Sequence, residues 1–519
     1  MVYLRAYYAL NAIMSIVSLQ IGQCGNQIGA KLFGTIYNDC CSKKTSSQSR
    51  KDSAYIRNSL NTFFSESSKG RLTARCVQVD MEEKVIANVR RNTCVQKWSY
   101  SPNSTFTAKC GSGNNWAYGY FVHGNEFEDQ IQCLIQNQLE SCDSLDGFLV
   151  TMSLAGGTGS GVGTKMLTNL SDIVPKACVL SQLIWPFTRG EVSVQAYNAI
   201  LTLGHLLSPS TANSLDGFIM HHNDTLHKIC SNRLLASNPN CRIGMEHLNA
   251  LLTYQLAGIL QPTVNEMEPD YFKDKRRLTS YLLDLCGHPD YRLTRLRCLP
   301  YMPAESRKFC TETWSQLARH ARQMLLTGSA VEDKLDWSVS ASGTGFKTRI
   351  ENSRLPLLSY LCMLRGEGAS DQIREANHFV DSLTKDLLVC GPSPAPVPNS
   401  FGSAVRGHPR YFDDYPRSLF VASNGGGPRL DIRSTVDDDH KELLTSAASS
   451  GDTAASLRCV SLRAWELFGS RAYIHQYEKY GLTTDMLMDC VATVEQVAHC
   501  YATLPWYNLS INTELYMQS

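Results

Sequence analysis

The run Ser153-Leu-Ala-Gly-Gly-Thr-Gly-Ser-Gly161 has the residue types needed to hold an anion. Glycines let the backbone come close to a phosphate, successive N–H groups can point at it, and a helix start behind the loop adds the positive end of a dipole. Asp146-Gly-Phe-Leu-Val-Thr-Met152 leads in with strand character, and Val162-Gly-Thr-Lys-Met-Leu-Thr-Asn-Leu170 leads out as a helix start. The candidate contacts are Ser153, Ala155, Gly156, Gly157, Thr158 and Gly159, with hydroxyl groups from Ser153 and Thr158. A Walker A loop is excluded, because Gly163 is followed by Thr164-Lys165, the reverse of the order that motif needs. The spacing and the late position in the chain also exclude the dinucleotide fingerprint. On residue types alone, a glycine-rich turn without a ligand is the alternative.

Three further stretches offer related chemistry. Ile21-Gly-Gln-Cys-Gly-Asn-Gln-Ile-Gly29 is a second glycine turn opening a helix, with Gly22, Gln23 and Cys24 at its start. A capped helix is the competing reading there, and a buried structural cysteine is the competing role for Cys24. Asp80-Met-Glu82 sets two carboxylates beyond the strand Ala74–Val79. Mg²⁺ keeps most of its waters and takes few carboxylates, so Asp80 and Glu82 suit a water-mediated Mg²⁺ site; a solvated strand end is the other reading. Gly111-Ser-Gly-Asn-Asn-Trp-Ala-Tyr-Gly119 is a turn-rich loop in which backbone amides and Asn114 can meet phosphate oxygens, while Asn115 can cap the following helix.

These loops need rigid elements behind them. Ser15-Ile-Val-Ser-Leu-Gln20 and Val179-Leu-Ser-Gln-Leu-Ile-Trp-Pro186 read as buried strands. Gly244 to Leu260 has apolar residues at 245, 248, 252, 256 and 259, with further ones at 251 and 260, and ends before Pro262, which is a long buried helix. Ser461 to Tyr480 and a second run from a Thr484 cap to about Leu504 read as a helical pair. Cys40 to Ser68, Gly391 to Arg417 and Gly425 to Ala455 are polar or Pro/Gly/Ser-rich and read as loops.

The loop motifs, in this order, resemble those of the tubulin family: small-Gly-Gly-Thr-Gly-Ser-Gly at 155–161 and the near letter-for-letter first loop at 21–29. Tyr118-Gly-Tyr-Phe-Val-His-Gly124 and Arg471-Ala-Tyr-Ile-His-Gln-Tyr477 are similar to the delta branch of that family. The resemblance covers most of residues 14 to 504. It implies an α/β fold with a parallel-sheet GTP-binding domain (14–243), a central helix (244–262), an α+β intermediate domain (263–424, with a loop at 391–417), an insertion (425–456) and a C-terminal helical domain (457–519). Residues 1–13 stand as an extension before the family's usual start at Met14. The resemblance also implies GTP or GDP with Mg²⁺ as cofactors, Glu191 at the ribose, and Asn198, Asn223 and Asn249 as nucleotide contacts. Met245 falls where alpha and beta members stack an aromatic ring on the base. Hydrolysis in the family requires a carboxylate from the next subunit. That position falls at Ser280 here, with Asp274 and Asp284 the nearest acids, so this chain is expected to bind GTP without activating its neighbour.

Composition agrees with a large multidomain protein: 519 residues, 43% apolar. A net charge of +1 from 49 basic and 48 acidic residues gives no support for a nucleic-acid partner. None of the 19 cysteines forms a C-x-x-C pair, which reads against structural zinc and toward a reducing compartment. Tyr7 to Gln20 is apolar after Arg5 but no small-x-small cleavage site follows, and no other run is long enough to span a membrane. The resemblance implies a GTP-binding, delta-type structural or assembly factor of centriole and basal-body triplet microtubules and cilia; the alternatives are an alpha/beta-like microtubule subunit with GTPase activity or an unrelated α/β nucleotide-dependent enzyme. The expected partners are other tubulins and centriolar proteins through longitudinal contacts, in the cytoplasm and its cytoskeleton.

Overall fold

The computed structural model describes residues 14–504, apart from 42–49, 67–69, 94–96, 189, 191, 210–214, 238, 239, 241, 264–276, 304, 334, 338–356, 375–382, 384–402 and 426–451. The extension 1–13, Glu191, Asp274, most of the insertion 425–456 and part of the loop 391–417 therefore lie outside the described residues.

Ten strands form one sheet: β1 (Met14–Ile21), β2 (Cys76–Asp80), β3 (Thr105–Thr107), β4 (Ser144–Ser153), β5 (Cys178–Trp185), β6 (Asp216–His222), β7 (Leu293–Leu299), β8 (Leu357–Gly366), β9 (Ser403–His408) and β10 (Arg417–Gly425). Their order across the sheet is β9-β8-β10-β7-β6-β5-β4-β1-β2-β3. From β3 to β7 every pairing is parallel. β10 then runs antiparallel between β7 and β8. The first six strands thus stand in the order 3-2-1-4-5-6. The chain leaves β1 in one direction for β2 and β3 and in the other for β4 to β6, so a crevice opens beyond the carboxyl ends of β1 and β4.

Parallel strands are buried on both faces, and β1 is buried at all eight positions, its polar Ser15, Ser18 and Gln20 included. Its side chains alternate between two cores. Val17, Leu19 and Ile21 pack toward α5 (Gly163–Ile173), α6 (Gln195–Leu207), α11 (Thr453–Gly469) and α13 (Thr484–Ala502). Ile16 packs toward α1 (Gly22–Cys41) and the central helix α8 (Met245–Leu260). Helix α8 is buried at every position from Leu251 to Leu260, and its mostly apolar surface needs neighbours on all sides. Its carboxyl end is closed by the buried Arg365, which donates to the carbonyls of Gly258 (2.7 Å), Gln261 (2.6 Å) and Pro262 (2.9 Å). A guanidinium there satisfies carbonyls that have no partner within the helix.

Several elements differ from the reading of the sequence. Part of the supposed loop 40–68 is a helix, α2 (Arg50–Phe63), whose buried positions are Tyr55, Ser59, Thr62 and Phe63. Two of those four, Ser59 and Thr62, are not apolar, so the helical period is hidden from an apolar count. Ser59 donates to Gln261 Oε1 (2.5 Å) and Tyr55 to Asp39 Oδ2 (2.6 Å). Strand β9 falls inside the supposed loop 391–417 and pairs in parallel with β8 at the sheet edge. Helix α11 begins at Thr453, ahead of Ser461, capped by Asp452, which accepts from the Ala455 amide at 3.0 Å. It ends at Gly469, and Ile474–Glu478 is a separate helix, α12. The cap of α13 is Thr483 rather than Thr484; its hydroxyl accepts from the Met486 amide at 3.2 Å. Among the described residues no helix is long and apolar enough to cross a membrane.

Candidate nucleotide-binding site

A cavity of about 400 Å³ lies beyond the carboxyl ends of β1, β2, β4 and β5. Loops at the strand ends and the starts of several helices line it. The β1–α1 turn supplies Gly22, Gln23, Cys24 and Gln27; the end of β2 supplies Asp80 and Glu82. The loop 111–119 supplies Ser112, Gly113 and Asn114, and the β4–α5 loop supplies Ser153, Ala155, Gly156, Gly157, Thr158 and Gly159. The remaining wall holds Phe187, Gln195, Asn223, Met245 and Asn249. The arrangement is the one the parallel sheet makes available: glycine turns and helix N-termini gathered at a topological switch point.

The two glycine turns touch. Gly22 has φ +72°, and a Cβ there would stand 3.0 Å from the Gly159 amide, so both strain and crowding exclude other residues. The glycines of the β4–α5 loop have different tasks. A Cβ on Gly157 would meet the Asn115 amide and the Ser112 carbonyl, each at 2.7 Å, so this position is kept bare by packing against the 111–119 loop. Gly157 also lines the cavity, so packing is a second reason for glycine here beside the phosphate contact expected from the sequence. Gly156 is the open one: a Cβ there would have only Asn114 Oδ1 nearby, at 3.7 Å. Thr158 Oγ1 is 3.2 Å from Ser112 Oγ, which also meets His123 Nδ1 at 3.0 Å, so the Thr158 hydroxyl bridges loops as well as facing the cavity.

Asp80 is buried, and its Oδ2 has no hydrogen-bond partner. Burial pushes its carboxyl up to about 6; amides of Met81 and Glu82 oppose the rise and the nearby Glu82 charge adds to it. A buried carboxylate oxygen at the cavity wall, with exposed Glu82 two residues on, is a donor set that could hold the waters of a hydrated divalent cation. Across the cavity burial pushes the Cys24 thiol up to about 12, so it presents a neutral, weakly polar surface.

Asn198 is the sequence candidate that the structure removes from the wall. It is fully buried, and every hydrogen-bonding position of its amide is used. Nδ2 donates to the carbonyls of Asn114 (2.8 Å) and Ala155 (2.6 Å); Oδ1 accepts from the Trp116 amide (3.0 Å) and the Tyr477 hydroxyl (2.6 Å). Gln195, one helical turn earlier, lines the cavity and was not singled out from the sequence. Its Nε2 donates to the Phe187 carbonyl (2.9 Å), and its buried Oε1 has no partner. A polar residue at the first turn of a helix that follows a candidate loop is the signal that points to it. Ser280, on α9 (Arg277–Leu285), is buried, and Asp284 is held by Arg406.

A doubly wound parallel sheet with glycine turns at its switch point defines a nucleotide-binding α/β protein. The family model described as "Tubulin/FtsZ family, GTPase domain" matches residues 15–231, which contain β1 to β6 and most of the cavity wall. The mouse (Mus musculus) tubulin delta chain is 36% identical over 499 residues, covering 95% of this chain and 100% of that one. The human (Homo sapiens) delta chain is 34% identical over 498 residues with the same coverage. A maize (Zea mays) tubulin beta-4 chain is 30% identical over 246 residues, 47% of this chain and 53% of its own. The chain belongs to the tubulin family, and the domain it shares with that family is one that binds GTP and GDP.

Proposed function

We propose that the chain is a delta-type tubulin that binds GTP or GDP with Mg²⁺ in the 400 Å³ cavity and serves as a structural or assembly factor of centriole and basal-body triplet microtubules and cilia. The observation that carries the delta reading is the extent of similarity: 95% of the chain is covered by delta chains against 47% by a beta chain. The alpha/beta-like alternative lacks that end-to-end support.

Within the cavity the N–H groups of the β1–α1 turn and the β4–α5 loop hold the phosphates, with Gln23, Asn114, Ser153 and Thr158 adding side-chain contacts. Asp80 and Glu82 hold the waters of Mg²⁺, which supplies the charge balance that a loop without lysine does not. Asn223, Asn249 and Met245 hold the base, Gln195 and Glu191 the ribose. Other tubulins are the partners, met end to end. Extraction of the purified protein tests the ligand: guanine nucleotide supports the reading, a nicotinamide nucleotide supports an unrelated enzyme. Imaging a tagged copy tests the role, with centriolar foci expected and uniform decoration of all microtubules as the contrary result.

A further inference from the structure

The two loops of the cavity wall are tied to a part of the chain that does not line the cavity. Helix α12 and its flanks reach the 111–119 loop directly and the β4–α5 loop through Asn198 on α6. The buried Tyr477 hydroxyl donates to Asn198 Oδ1 at 2.6 Å, Asn115 Nδ2 donates to the Gln476 carbonyl at 3.0 Å, and the Tyr118 and Tyr480 rings lie 4.7 Å apart. A separate tie, from the Tyr197 hydroxyl to the Ala472 carbonyl at 3.1 Å, joins α6 to the segment and involves neither loop. Asn198 carries the first of these contacts onward. Its two N–H groups hold the Asn114 and Ala155 carbonyls, one from each cavity loop, and Asn114 sits at φ +51°, a left-handed conformation that needs an outside hold. The turn ahead of α12 is strained in the same sense, with Arg471 at φ +49° and Tyr473 at φ +60°. Buried networks of this kind act as units, since each member's orientation depends on the rest.

We propose that Tyr477 and Asn198 are positioning residues for phosphate binding, so that the C-terminal helical segment sets the mutual geometry of the two loops and its packing is coupled to cavity occupancy. This rests on the reading of the cavity as a guanine-nucleotide site. Coupling is reciprocal, so a nucleotide must also stabilise the segment 472–480.

The test uses the full chain, with GTP, GDP and guanosine as ligands. Tyr477→Phe removes one hydroxyl and keeps the ring. Loss of one hydrogen bond in the network is expected to weaken GTP and GDP about three- to tenfold while leaving guanosine unchanged, because only the phosphate loops lose their alignment. Tyr197→Phe removes a hydroxyl to the same segment, off the Asn198 path, and is expected to leave all three affinities unchanged. In the wild type, GTP is expected to slow amide hydrogen exchange over 472–480, and less so in Tyr477→Phe. Unchanged GTP affinity in folded Tyr477→Phe, equal losses for guanosine, an equal loss in Tyr197→Phe, or exchange over 472–480 indifferent to GTP would each overturn the coupling. A wild type that binds no guanine nucleotide overturns the underlying reading of the cavity instead.

Discussion

Replacing Asp80 with asparagine should stabilise the free protein and weaken its Mg²⁺-dependent binding, two effects of opposite sign from one atom. In the folded chain burial holds the Asp80 carboxyl at about 6, against an ordinary value of 3.8. Because the folded pKa lies above the unfolded one, the fold prefers the protonated acid. Below the unfolded pKa there is no cost. The cost grows as pH rises between 3.8 and about 6 and is constant above. A rise of roughly two pKa units at ~1.4 kcal/mol each corresponds to about 3 kcal/mol at neutral pH. Asp80→Asn removes that charge and nearly keeps the shape. Its unfolding free energy without nucleotide, from urea titration, should exceed wild type by up to ~3 kcal/mol at pH 7.5, and the gap should close by pH 4. Binding should move the other way. Loss of a charge-assisted contact to the cation's waters is worth ~1.5–3 kcal/mol, so GTP affinity with Mg²⁺ should fall about ten- to a hundredfold, while affinity in EDTA stays near wild type. A variant less stable than wild type at pH 7.5, or one that keeps the full Mg²⁺ effect, would refute the reasoning.

Gly156→Ala adds a methyl group into the open cavity and at most one 3.7 Å contact, so it should leave Tm within a degree or two of wild type and weaken GTP about tenfold or more; equilibrium binding beside thermal unfolding checks both. Gly157→Ala should instead lower Tm, by about 1–3 kcal/mol of overpacking against Ser112 and Asn115, whether or not nucleotide is present. Met245 is half exposed at the cavity wall, and Met245→Tyr should tighten GTP binding by about 0.5–1.5 kcal/mol through stacking, read by titration against wild type. Ser280 is buried and Asp284 is paired with Arg406, so the chain should not stimulate GTP turnover when mixed with alpha/beta-tubulin, and Asp284→Asn should change nothing; stimulation lost in Asp284→Asn would identify a working carboxylate there.

The loops were legible in the sequence because their physics is local. A glycine-rich turn opening a helix has few uses, and three such stretches in one chain narrowed them further. The central helix was legible because burial on all sides leaves a dense apolar period, as at 248, 252, 256 and 259. Helix α2 was not, since two of its four buried positions are Ser59 and Thr62, made acceptable inside by Gln261 on a distant element for the first and by the Asn58 carbonyl of the same helix for the second. Asn198 shows the limit most sharply. An asparagine on a helix near a binding loop has the right chemistry for a base or a phosphate, and nothing in its neighbours along the chain says otherwise. What decides its role is the number of groups that claim it. Two carbonyls, one amide and one hydroxyl from three separate segments complete its hydrogen bonding, so none remains for a ligand. Gln195 is the converse: the same kind of side chain, one turn away, with one oxygen left unclaimed and facing the cavity. Residue type sets what a side chain can bond; only the fold determines which of those bonds are still open, and the open ones are where a ligand is held.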